Sequence, residues 1–293
     1  MKTTLFLLLL FLTFPANAVV NAGGDQNSPP ADDPGFNNVG TTVPPQVRCG
    51  GSGLGGVYMG NGWVLTAGHV GANDMCFNGN RYSWDQNTPT VQFSYQGVTQ
   101  DLILFRLVPP WPDQDPTIHP LPIISQTPTQ GTQATLIGNG DGRGDPSTEI
   151  MVSCPFGPGG QCPAWPWVGE TSKTWGHATV TGPIFGAQFE TFFDLPPADT
   201  SNGAIGDSGG GVFIKVNGVW MLAGIMDQIT GYCDVQNTSV QGCQGTAQFD
   251  LSLFRSQIVL YTVGPVACGA GPELALVVPL LMWLRSRRRG VAR

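Results

Sequence analysis

The chain has 293 residues with a net charge of −7, and 11% of them are charged. Its lysines are Lys2, Lys173 and Lys215, so it offers no basic face to a nucleic acid. With 41 glycines, 25 prolines and short apolar segments bounded by turn residues, it favours an all-β protein with many connections over a helical one.

Residues 1–18 read as a secretory signal. Lys2 supplies the positive start, Leu5 to Phe14 the apolar core, and Ala16-Asn-Ala18 a small-residue cleavage site. The apolar run is too short to span a bilayer, so the mature chain is expected to begin at Val19. Export suits the seven cysteines, because disulfides persist outside the reducing cytosol. Residues 21–47, rich in Gly, Asn, Pro and Asp, read as a leader wrapped over the body of the protein. Cys49 and Cys76 flank His69 and would staple that loop. Cys154 with Cys162, and Cys233 with Cys243, would close local loops and leave Cys268 over, although sequence alone does not fix connectivity.

Three segments carry chemistry. The first is Trp63-Val-Leu-Thr-Ala-Gly-His69. Of the three histidines, only His69 follows a strand-like run in which packing would hold it still; His119 sits between prolines and His177 in Thr174-Trp-Gly-His177. The second is Asp101-Leu-Ile-Leu-Phe-Arg106, which puts a carboxylate at the edge of an apolar strand. A charge placed there must be paired, and a histidine N–H would satisfy it. The third is Gly206-Asp-Ser-Gly-Gly210. Its glycines permit a sharp bend and close approach to Ser208, and the Gly206 and Ser208 amides could then converge as an oxyanion hole. Serine needs a neighbouring base to act as a nucleophile, and histidine is the simplest one at neutral pH. Asp141 and Asp145 lie in a glycine-rich loop but lack the ligand count of a calcium loop.

With these motifs in the order His, Asp, Ser, the chain resembles the chymotrypsin/trypsin family of serine proteases, with features of its bacterial members. Cys49-Gly-Gly-Ser52 resembles the start of the family's first barrel. Leu136-Ile-Gly-Asn-Gly140 resembles the Gly-Trp-Gly strand opening the second, with Asn139 in place of tryptophan. The stretch Asn217-Gly-Val-Trp-Met-Leu-Ala-Gly224 also follows the family, and the likeness spans roughly residues 36 to 264. It implies an all-β fold of two packed antiparallel β-barrels, about 36–125 and about 130–264, within a peptidase domain 19–264, with the active site in the cleft between them. It also implies a catalytic His69, Asp101 and Ser208, an oxyanion hole from Gly206 and Ser208, a protein or peptide substrate, and no metal or cofactor. In the family, the aspartate at position 207 pairs with a newly freed N-terminal amine. No Lys or Arg lies between Lys2 and Arg48, so signal cleavage before Val19 would itself supply that amine, the alternative being an Asp207 held by internal hydrogen bonds, as in some bacterial members.

The substrate-binding candidates are Asn202, Asp227 and Ile229. Asn202 stands where trypsin-like members place an aspartate, which removes the reason to select Lys or Arg. Ile229, where glycine is usual, would narrow the pocket toward small or medium apolar P1 residues; Asp227 would attract a cation, but in the family its position usually faces the catalytic aspartate, which favours the bulk argument. The other functions weighed are a catalytically silent binding protein on the same fold and an esterase using the same triad. Residues 265–293 join the apolar run Leu274–Leu284 to Arg285, Arg287, Arg288, Arg289 and Arg293. They resemble C-terminal sorting signals of Gram-negative bacteria and read as a sorting or anchor segment. The expected location is therefore periplasmic, cell-surface or extracellular, with membrane attachment through this tail.

Overall fold

The structure is a computed structural model and describes residues 19–21, 26–44, 47–50, 53–143, 150–153, 161–184, 186–192, 201–230, 240–241 and 245–263. Residues 1–18, the tail 265–293, and Cys154, Cys233, Cys243 and Cys268 lie outside them, so the expectations resting on those residues do too.

The first half is a seven-stranded antiparallel sheet: β1 (Val39–Val43), β2 (Gly55–Gly60), β3 (Trp63–Ala67), β4 (Asp74–Phe77), β5 (Asn80–Tyr82), β6 (Val91–Tyr95) and β7 (Val98–Arg106), in the order β5-β4-β1-β2-β3-β7-β6. Its central strands are buried along much of their length. In β3 every residue is buried, and in β7 the run Leu102-Ile-Leu-Phe105 is, because one face meets this half's own core and the other meets the second half. The residues Val39–Val43, expected in a wrapping leader, are instead a central strand between β4 and β2. Their short Val-Gly-Thr-Thr-Val run is hidden in sequence by the glycines and prolines around it. The expected Cys49–Cys76 disulfide is present, with a Cα–Cα distance of 5.7 Å.

The second half closes on itself. Strands β8 (Gln133–Gly138), β9 (Thr174–Pro183), β10 (Gln188–Phe192), β11 (Gly211–Val216), β12 (Val219–Thr230) and β13 (Gly245–Asp250) form a barrel in the order β9-β10-β13-β12-β11-β8. In β9 buried residues alternate with partly exposed ones from Thr174 to Gly182, as a strand with one face on a core requires. Val19, Leu136, Val180, Phe189, Val212 and Met226 share one core of this half, while Tyr58, Val64, Met75, Phe77 and Phe105 belong to a core of the first. A third cluster, including Val57, Leu65, Leu102, Phe213, Leu222 and Ile225, joins the two halves. Each of these side chains contributes about 1.5–3 kcal/mol when fully buried, so the halves are welded by apolar contact. The single α-helix among the described residues, Arg255–Thr262, follows Phe254, whose ring meets Phe93 of β6 at 5.8 Å. No helix among these residues is long and apolar enough to cross a membrane.

The sheet content and the two-part architecture agree with the all-β expectation. The second barrel is closed, whereas the first half is an open sheet with β5 and β6 at its ends.

Candidate active site

His69 stands in a 3₁₀ turn, Gly68–Val70, at the end of β3. Asp101 lies in β7, the strand that pairs with β3 through Ala67 and Leu102. The strand pairing therefore delivers the carboxylate to the turn. A Cβ on Gly68 would overlap Asp101 Oδ1, so the glycine before the histidine is what lets the carboxylate come so close. The His69 Nδ1–Asp101 Oδ2 distance is 2.5 Å, and both side chains are 44% exposed. His69 Nδ1 is also 3.6 Å from Asp227 Oδ1.

Ser208 comes from the second half, in the turn before β11. Gly209 has φ 84°, a left-handed conformation, and a Cβ there would strike the Gly55 carbonyl and the Thr66 hydroxyl. That turn touches the first half directly, since the Gly55 N–H donates to the Ser208 carbonyl at 2.7 Å. The Ser208 hydroxyl donates to the Asp227 carbonyl at 3.1 Å; no hydrogen bond joins it to His69 in this state. Catalytic hydrogen bonds are often long or misaligned in a site without substrate. Among the described residues, neither the Gly206 nor the Ser208 amide has an acceptor within the chain. Both lie in a cleft of about 470 Å³ lined by His69, Ala204, Met226, Ile229 and Thr246 among others.

Beneath the serine turn, Asp207 is 2% exposed. Its carboxylate accepts from the amides of Gly140 (2.7 Å), Ala204 (2.6 Å) and Val19 (3.2 Å). Burial pushes this carboxyl up to about 6, and the amide donors act in the opposite direction. Val19 is itself buried, and its following residues Val20–Asn21 pair with Ser201–Asn202.

Of the substrate-binding candidates, Ile229 lines the cleft. Asn202 is buried behind it and accepts the Thr246 hydroxyl at 2.6 Å. Asp227 aims its carboxyl at the rim of the cleft, where Gln188 Nε2 donates to its Oδ2 at 2.6 Å. Burial first, then the Asp101 carboxylate, push it up to about 6, while Gln188 and His69 oppose the rise. His119 and His177 stand apart: the first offers its backbone to Asn38, and the second packs its ring 5.2 Å from Trp175. Sequence reasoning passed over Gln188 and Thr246. No local motif marks either, because each reaches the site from a strand distant in the chain. A larger cavity of about 720 Å³ surrounds Phe36, Cys49, Asn139 and Lys173 and contains neither His69 nor Ser208.

His69, Asp101 and Asp227 each offer one ligand atom, all within 4.8 Å of one another. The 2.5 Å His69–Asp101 bond fixes the ring and leaves its other nitrogen to exchange a proton.

A family model described as Trypsin matches residues 35–246. Among solved structures, neuropsin, a serine protease expressed in the limbic system of mouse brain, superposes with a TM-score of 0.52 at 15% identity, covering 80% of this chain and 96% of its own. Human heparin binding protein superposes with a TM-score of 0.55 at 16% identity, covering 83% of this chain and 97% of its own. Identities this low speak for the fold alone. No curated protein matches the chain.

Proposed function

The chain belongs to the trypsin family, and from that membership together with the site geometry we propose that it is a serine endopeptidase. The observation that carries the reading is His69 held by Asp101 at 2.5 Å in the same cleft as Ser208. In the proposed reaction Ser208 Oγ attacks a peptide carbonyl while His69 takes its proton. Asp101 fixes the ring and stabilises the imidazolium. The Gly206 and Ser208 amides hold the oxyanion, and His69 protonates the leaving amine. Water then repeats the sequence on the acyl-enzyme.

The P1 pocket of this reading takes small or medium apolar side chains. Ile229 and Met226 narrow it, the Asn202 amide oxygen is committed to Thr246, and the Asp227 carboxyl is committed to Gln188 and the triad. Activation follows from Val19. Its amide is already 3.2 Å from Asp207 Oδ2, so cleavage after Ala18 would place an ammonium on that carboxylate with no further protease. Export by residues 1–18 and sorting or anchoring by 265–293 complete the proposal. Truncation after Ala267 should then move the enzyme from the membrane fraction to the medium at unchanged activity, and a wild-type extracellular chain still ending in Arg293 would remove that part.

Two other readings compete. One solved neighbour is named for binding heparin, but a net charge of −7 gives this chain little attraction for a polyanion. An esterase would share the whole triad. Hydrolysis of a peptide library and of an ester substrate by the chain that begins at Val19 separates all three readings. The endopeptidase reading expects cleavage after Ala, Val or Leu faster than after Lys or Arg, with loss of about 10⁴–10⁶ in turnover for Ser208→Ala. Ester hydrolysis without amide hydrolysis would favour the esterase, and neither activity would favour the silent protein.

A further inference from the structure

The strand that carries the specificity cleft contains an irregularity with a chemical consequence. In β12 the pairing with β13 shifts register between Met226 and Gln228, so Asp227 is the extra residue of a β-bulge. Bulges re-aim side chains and gather beside active sites. Here the bulge turns the Asp227 carboxyl toward His69, 3.6 Å from Nδ1, while its main-chain carbonyl accepts the Ser208 hydroxyl at 3.1 Å. One residue thus touches the nucleophile through its backbone and the base through its side chain.

We propose that Asp227 is a positioning residue for this site, a second carboxyl that holds a proton against Asp101 at low pH and, once ionised, adds a second negative charge to the support of the His69 imidazolium. The inference rests on the endopeptidase reading.

Like charges this close resist simultaneous ionisation, and so does burial. The Asp227 side chain is 11% exposed, against 44% for Asp101. The charged and titratable groups that face it are His69, from the turn after β3, and Asp101, from β7; β10 contributes only the uncharged Gln188. Asp207, in the same cleft wall, directs its carboxylate the other way, to Val19, Gly140 and Ala204. Asp227 is therefore neutral below about 6, and its O–H then donates toward Asp101 and competes with the His69 N–H for that carboxylate. Above this range it is ionised, and the imidazolium that forms when Ser208 gives up its proton faces two carboxylates instead of one. Because the two carboxyls and the ring interact, the proton losses belong to the group as a whole.

The test is the rate at which a fluorophosphonate labels Ser208 in the chain that begins at Val19 between about pH 4.5 and 9.5, a window that brackets the carboxyl and imidazole titrations. Wild type should show an acid limb in which two protons are lost before the plateau is reached. Asp227→Asn should show a one-proton limb that reaches half of its own plateau at lower pH. Its plateau should be about tenfold lower, the worth of one pKa unit of support for the ring. Asp227→Ser, smaller and also uncharged, should behave like Asp227→Asn and guards against a variant that misfolds. The wild-type limb can be judged without either variant. A one-proton limb in wild type, or identical profiles in wild type and Asp227→Asn, overturns the inference while leaving the protease reading intact. Absence of labelling in wild type at every pH instead overturns the reading on which it rests.

Discussion

The two halves of the molecule hold their shares of the site in opposite ways. The first half presents His69 and Asp101 as side chains 44% exposed at a rim, tied to each other by one bond of 2.5 Å. The second half presents Ser208 from a backbone turn built over a buried carboxylate, Asp207, whose amide donors include Val19, 188 residues away, and Gly140, 67 away. A rim pair can therefore be altered with little effect on folding. The serine turn cannot, because Asp207 beneath it is buried and one of its donors, Val19, belongs to the core of the second half.

The largest effect should come from the rim. In the family the triad carboxylate is worth about 10⁴-fold in turnover, so Asp101→Asn is expected to lose about that much while its melting temperature stays within a few degrees of wild type. Calorimetry alongside an amide assay measures both. A large drop in stability would break the contrast between the halves.

Removing the staple near His69 should cost stability instead. Replacing Cys49 and Cys76 by serine opens a loop with a sequence separation of 27, and the chain-entropy contribution of closing such a loop is about 3.5 kcal/mol. Urea unfolding of the double variant under non-reducing conditions gives the number.

The serine turn predicts a pH-dependent cost of somewhat smaller size. When the chain still carries a residue before Val19, Asp207 has no cation, and burial holds its carboxyl at about 6, above the usual carboxylate range. The folded state then binds its proton more readily than the unfolded state. The corresponding stability is fully present below about pH 4 and is lost as pH rises through about 6. A free Val19 ammonium would remove this loss. Compared with a chain that starts at Val19, the extended chain should be about 3 kcal/mol less stable at about pH 8 and equal to it at about pH 4. A constant gap across that range would show that Asp207 is not responsible.

Those differences in support also explain what could be read from the sequence. His69, Asp101 and Ser208 are visible because each sits in a contiguous motif whose neighbours set its conformation, and the turn-bounded apolar runs sufficed for an all-β fold. Val39–Val43 was not visible as a central strand, since its partners β4 and β2 confer the strand and its own composition does not. The placing of Asp227 was legible only through the family resemblance, in which this position faces the catalytic aspartate. Its charge by itself also allowed a lure for a cationic substrate, and the one-residue bulge that turns it toward His69, set by pairing with Gly245–Asp250, leaves no mark in the local sequence. Asn202 stands near the expected wall, but Thr246, 44 residues on, takes up its oxygen.

The smallest predicted effect is a change of selectivity. Ile229→Gly should widen the cleft and raise the preference for large over small apolar P1 residues roughly tenfold, in keeping with a few methylenes of lost packing. A peptide-library profile of the variant would show it, and an unchanged profile would place the P1 wall elsewhere.

The claim that binds the two halves together is that Ser208 is a nucleophile activated across the cleft by His69. Labelling the chain that begins at Val19 with a fluorophosphonate, then mapping the adduct by mass spectrometry, tests this most directly. The account predicts a single adduct on Ser208 in wild type, none in Ser208→Ala, and labelling of His69→Ala slowed by orders of magnitude. An adduct on any other residue, or undiminished labelling of His69→Ala, would contradict it.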